Sequence, residues 1–195
     1  MATCSGITVG STFDCDNPLV PFVRQRLLIG NLEDIASITR NVTNDNVIED
    51  ITMKVGKAMF AFEAVKSAIT AQTELVVQTL SNAYNHQVGL SVFEVDSAQK
   101  RNLQGMASLP QFALVENSKD TSLGDSVFEI YGINRGLEPS ELIRINADSD
   151  TAGAYVITLV TPDEGGKETT LPESFFLTSQ SVTDALVEAL LVPAV

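Results

Sequence analysis

The stretch from Ala71 to Val115 constrains the chain most. Thr73, Leu75 and Val77 alternate with Gln72, Glu74 and Gln78, and further on Tyr84, Val88, Leu90 and Val92 alternate with Asn85, Gln87, Gly89 and Ser91. A period of two is that of a half-buried strand. The link Ser81-Asn82-Ala83 between the two runs is short, so they form an antiparallel hairpin over 72–81 and 84–95. Asp96, with Gln99 three positions on, then marks a helix start. Leu103, Met106 and Ala107 keep helical spacing, Pro110 ends the helix, and Phe112–Val115 resumes as a strand.

The flanking chain supplies more strands. Val23, Gln25, Leu27 and Ile29 predict a strand ending near Gly30-Asn31. The polar residues of 33–50 predict a long surface loop, with a helical turn near Asp34–Ile38. Ile51–Met53–Val55 and Ala58–Phe60–Phe62, broken by Gly56-Lys57, predict a hairpin or a bent strand. Val127, Phe128, Ile130, Tyr131 and Ile133 leave both faces apolar, the pattern of a central strand. Leu142–Ile145 and Gly153–Thr161 alternate, and Thr169–Leu171 is expected to return as the partner of the latter across the turn Asp163-Glu164-Gly165-Gly166. A second helix is predicted over Ser181–Leu191, with Ser181 as cap and Val182, Leu186, Ala189 and Leu190 as its apolar stripe. The fold class is therefore α+β, mainly antiparallel β: a sandwich or incomplete barrel with a flanking helix. No internal repeat is visible.

Composition narrows the function classes. Of 25 acidic and 12 basic residues, giving a net charge of −13, residues 111–195 hold 14 and 4. No basic stripe is available to release counterions from phosphates, so stable nucleic-acid binding is not expected. No apolar run approaches the roughly 20 residues of a membrane helix. The first residues lack the basic and apolar regions of a signal peptide, so the expectation is a protein that stays where it is made. Cys4 and Cys15 are then expected as free thiols.

Catalytic signatures are sparse. There is no Gly-x-Ser-x-Gly elbow, phosphate loop or zinc-protease helix. The single histidine, His86, falls on the apolar register of the hairpin, where packing is the expectation. Asp125 with Glu129 is an acid/base pair only by sequence proximity. Asp148-x-Asp150 resembles a fragment of a calcium loop but lacks the glycine and the acidic twelfth ligand. Lys100-Arg101 reads as a solvated helix face or an intersubunit ion-pair donor. No catalytic residue, metal or cofactor is assigned, and an enzyme is not expected.

The order of the pieces carries a resemblance. Cys4, the Gly/Thr-rich start and Cys15 precede Leu28-Ile29-Gly30-Asn31 with Asp34-Ile35. Lys57-Ala58-Met59-Phe60-Ala61-Phe62-Glu63 follows, then the polar hairpin, Lys100-Arg101-Asn102-Leu103, Gly124-Asp125 and Leu137-Glu138-Pro139. Over residues 1–140 this resembles the tail tube proteins of long-tailed bacteriophages. Residues 141–195 depart from the pattern and read as a C-terminal extension of strands plus helix, packed on the same domain or on a neighbouring subunit.

The resemblance implies a virion structural protein: a major tail tube subunit assembled in the host cytoplasm into stacked hexameric rings of the virion tail. Its partners would be further copies of itself and other tail proteins (terminator, baseplate, sheath or tape measure). Viral DNA would pass through the lumen during ejection without specific binding, and no membrane would be involved. The N-terminal residues and 33–50 would reach neighbouring rings, and Gln72, Glu74, Gln78, Asn85 and Gln87 would line the lumen. Two alternatives remain open. One is another virion ring component, such as a tail terminator, head-tail joining or baseplate protein. The other is an enzyme or a carbohydrate-binding β-sandwich, against both of which the single His and the absence of Trp count.

Overall fold

A computed structural model describes residues 23–64, 68–77, 82–117, 125, 127–163 and 166–194. The N-terminal segment with Cys4 and Cys15, the strand expected at Ile7–Val9, and Gln78 lie outside the described residues.

Two sheets are present. The larger has seven strands: β1 (Val23–Asn31), β2 (Ile35–Arg40), β3 (Val47–Met53), β4 (Phe60–Glu63), β7 (Gln111–Asn117), β8 (Phe128–Tyr131) and β11 (Glu173–Phe175). Their spatial order is β2-β3-β11-β8-β7-β1-β4. The smaller has four: β5 (Ile69–Val77), β6 (Asn82–Val92), β10 (Tyr155–Val160) and β9 (Glu138–Arg144), in that spatial order. All pairings are antiparallel except β11 with β3. Helix α1 (Ser97–Met106) follows β6, and α2 (Gln180–Ala189) is the last described element.

The layers follow from which strands are apolar on both faces. Leu27, Ile29, Ala113, Val115 and Tyr131 turn toward the smaller sheet and meet Ile69, Val88, Leu90, Ile157 and Leu159, with Leu103 and Met106 of α1 at the margin. The opposite residues, Leu28, Phe112, Leu114 and Ile130, pack with Ile48, Ile51 and Phe175 beneath Val187 of α2 and Leu190 at its C-terminal end. Phe128–Tyr131 is therefore central, as its two-sided pattern predicts. A methyl group at Gly30 would stand 2.6 Å from the Phe112 ring. That close approach is why β1 carries glycine where it crosses β7.

Both predicted helices are present, and the cap of α1 is as expected: the Asp96 carboxylate accepts the Gln99 N–H at 2.7 Å. For α2 the stripe differs. Leu190 is buried and Leu186 half-buried, as expected, but Thr183 and Val187 are buried with them, while Val182 is 40% exposed and Ala189 is exposed. The cap is Ser179, two residues earlier than expected. Sequence periodicity leaves a helix phase free by a residue when apolar side chains occupy more than one face, and Thr183 is tolerated facing inward because its hydroxyl is satisfied, donating to the Ser179 carbonyl at 2.9 Å and accepting the Leu177 N–H at 3.0 Å.

Other expectations are corrected. Residues 33–50 are not a loop: β2 and β3 form a hairpin around residues 41–46. Asn41 Oδ1 holds that turn by accepting the N–H groups of Thr43 and Asn44, each at 2.9 Å. Edge strand β2 buries few residues, so its alternation is too weak to see. The segments at 51–55 and 58–62 do not pair with each other; β4 pairs with β1 instead. Asn82 already lies opposite Val77, so the second strand of the polar hairpin starts at Asn82, two residues earlier than expected. Thr169–Leu171 is not a strand beside β10; the chain crosses to the larger sheet and forms β11. Residues 141–194 are accordingly woven into both sheets, with β10 paired to β6 and β11 lying between β3 and β8.

Candidate functional site

The polar hairpin places its side chains as a ladder. Gln72 lies opposite Gln87 and Glu74 opposite Asn85, so four of the five residues expected to share a face do so. Thr70 opposite Gly89 extends the same face. The other face holds Ile69, Val88, Leu90 and His86, all buried. One strand with period two thus separates core from surface residue by residue.

β10 and β9 continue this face, which the hairpin alone does not reveal. Val156 lies opposite Ser91, Thr158 opposite Gly89, and Val160 opposite Gln87. Ile143 then lies opposite Val156 and Glu141 opposite Thr158. The alternation of Val156 and Val160 with the buried Ile157 and Leu159 was the available signal. The result is a broad sheet face of amides, hydroxyls, small apolar groups and the carboxylates Glu74 and Glu141. Lys167, at its margin, is occupied: its ammonium donates to Asp163 at 2.6 Å, to the Thr161 carbonyl at 3.0 Å and to Asn85 at 3.3 Å.

At one end of the sandwich lies a buried polar network that sequence reading missed. His86 is 1% exposed. Its Nδ1 accepts the Gly132 N–H at 3.2 Å, and Nε2 meets the Thr170 carbonyl at 3.1 Å. These partners fix the neutral tautomer with the proton on Nε2. Burial lowers its pKa from 6.5 to about 4, against smaller opposing effects of the Thr170 carbonyl and Glu173. Glu168, fully buried, accepts the Asn134 and Arg135 N–H groups at 3.2 and 2.8 Å, and burial raises its pKa. Glu173 accepts two hydrogen bonds from the Arg40 guanidinium, at 2.9 and 3.1 Å. Only the single histidine gave any hint of this network, because its partners lie in distant segments.

Most of the polar atoms of these groups are spent within the fold, the exception being the buried Glu168 Oε2, which has no partner. His86 spends both ring nitrogens on backbone groups, so neither is free to act on a substrate. The Tyr131 hydroxyl donates to Glu129 at 3.0 Å, which places Glu129 in a local bond of its own strand. Asp148 accepts the Asp150 N–H at 3.0 Å and the Thr151 hydroxyl at 2.9 Å, closing a turn on itself. Among the described residues no group of three or more His, Cys, Asp or Glu is placed to hold a metal ion, and no helix is long and apolar enough to cross a membrane. Compared with protein-family models, curated proteins and solved structures, the chain matches none.

Proposed function

We propose that the protein is a virion structural subunit, the tail tube protein of a long-tailed bacteriophage, whose rings conduct DNA along a lumen faced by the four-stranded sheet. The observation that carries this reading is the smaller sheet: a broad neutral-to-acidic face between two strand edges that have no partner among the described residues. Open edges invite pairing with another chain. Each strand of this sheet is antiparallel to the next, so β5 and β9 run in opposite directions. In a head-to-tail ring, β9 of one copy therefore meets β5 of the next as an antiparallel pair. Leu75 and Val77 on β5 and Leu142 and Ile143 on β9 are 51, 76, 41 and 45% exposed and lie where such a seam would cover them.

The face suits passage of a polyanion. Duplex DNA carries about one negative charge per 1.7 Å of axis. A lysine-lined wall would bind it along the whole tube. Amides and scattered carboxylates leave it hydrated, with repulsion screened beyond roughly 8–10 Å at physiological salt. Electron microscopy of the purified protein is expected to show six-fold rings and stacked tubes. A protein that stays monomeric at high concentration in every salt condition overturns the reading. In virions, lysine at positions 72, 74 and 87 is expected to slow DNA release. Normal release from assembled tubes would place this face elsewhere than the channel.

A further inference from the structure

One of the two outer edges of the larger sheet, β4, is built differently from those of the smaller sheet. The Ala64 N–H donates to the Gln25 carbonyl at 2.8 Å, and Phe62 lies opposite Leu27. Backbone groups alternate in direction along an antiparallel ladder. Phe60 and Phe62 therefore bond inward to β1, whereas Ala61 and Glu63 turn their N–H and C=O groups to the open side. No described strand pairs with that side.

Two hollows flank this edge, and Phe62 lines both. The first, about 220 Å³, lies between Phe60, Met106 and Leu109, with Arg101 and Gln111 also in its wall. The second, about 270 Å³, lies between Phe62, Val92 and Phe93, with Glu63 and Glu94 in its wall. Phe60 and Phe93 remain 61 and 40% exposed. Gln111 is 1% exposed, and its amide nitrogen donates to the Met106 and Leu109 carbonyls. That fixes the amide orientation and leaves Oε1 a buried acceptor with no donor.

An edge strand with free backbone groups, side-chain hollows on alternate positions and a helix along one wall is the arrangement by which domains add a peptide strand. We infer that β4 and α1 form a docking groove for an extended peptide segment of a partner protein, which pairs with Ala61 and Glu63 and places two apolar side chains, two residues apart, in the hollows. The groove is charged oppositely at its ends, Arg101 at one and Glu63 with Glu94 at the other. The segment it fits is therefore acidic at one end and basic at the other. This surface lies on the larger sheet, and the inference stands apart from the tube reading.

The test uses fluorescein-labelled peptides Asp-Thr-Val-Thr-Leu-Thr-Lys and Lys-Thr-Val-Thr-Leu-Thr-Asp, which cover the two strand directions, and fluorescence anisotropy with the full chain. One of them is expected to bind. Ala61→Pro removes an N–H that bonds nothing within the sheet, and it is expected to weaken binding by about tenfold or more. Arg101→Glu, on the exposed helix face, leaves both ends of the groove acidic and is expected to weaken the preferred peptide and narrow its advantage over the other charge order. If the proline variant loses its circular dichroism spectrum, Arg101→Glu carries the test alone. Binding no tighter than that of backbone N-methylated controls overturns the inference, as does indifference to both substitutions. Sedimentation showing that the free protein self-associates and that Ala61→Pro makes it monomeric also overturns it, since a second copy then occupies the edge.

Discussion

Replacing His86 with glutamine tests the buried network quantitatively. The imidazole bridges Gly132 and Thr170, and a single amide reaches one of those partners well but not both. A loss of about 1–3 kcal/mol is expected at pH 7 from the backbone group left unsatisfied. The informative quantity is how that loss changes with pH. The pKa of His86 falls from 6.5 to about 4 on folding. Between those values the unfolded chain takes up a proton that the native protein does not, so the native state loses stability as pH falls through the window. At 1.36 kcal/mol per unit, the loss reaches about 3 kcal/mol by pH 4. Glu168 works oppositely, because a raised carboxyl pKa gives stability that is present at low pH and lost as pH rises through the folded value. Both proteins retain Glu168, so its contribution cancels in the difference to first order. Urea unfolding at pH 7, 6, 5 and 4 should show the wild-type advantage over His86→Gln shrinking by about 3 kcal/mol. A difference that stays flat from pH 7 to 4, or an NMR titration placing His86 near 6.5, would refute the reasoning.

Gly132 adopts φ of +72°, and a Cβ there would stand 2.5 Å from Leu137 Cγ. Gly132→Ala is therefore expected to cost about 2 kcal/mol or more in urea melts, combining left-handed strain with overpacking. A change below the scatter of the measurement would show that the turn relaxes freely. Truncation after residue 140 removes β10, β11 and α2 from both cores, so the fragment is expected to lack cooperative thermal unfolding by circular dichroism. A sharp transition in the fragment would mean that the first 140 residues hold a core of their own.

Local pattern was legible wherever one strand face meets water and the other meets the core. The β5–β6 ladder, β7, β8 and α1 follow from alternation, two-sided apolarity and the Asp96 cap, and the shared face of Gln72, Glu74, Asn85 and Gln87 follows with them. Edge strand β2 has no fully buried residue, and β11 is only three residues long with a glutamate at one of its two buried positions, so no hydrophobic period emerges in either. Which strand pairs with which is a non-local matter, and so β4 beside β1 and β10 beside β6 were not readable. The same limit hid Val156, Thr158 and Glu141, which complete the polar face from 49 to 66 residues beyond the end of the hairpin at Val92. The phase of α2 depends on what lies beneath it, and its apolar residues are spread too widely to settle that alone.

The placement of β11 has a consequence for how the molecule is made. A strand of three residues, last in chain order, lies between β3 and β8 in the middle of the larger sheet. Until residues 173–175 leave the ribosome, β2-β3 and β8-β7-β1-β4 are separate pieces, each with an unpaired inner edge and an apolar face awaiting α2. Synthesis at about 5–20 residues per second leaves those edges open while the remaining chain is added. The larger sheet is thus completed from its middle, only after the strands on both sides of the gap have been made, and a ribosome stalled before residue 173 would leave the facing edges of β3 and β8 unpaired.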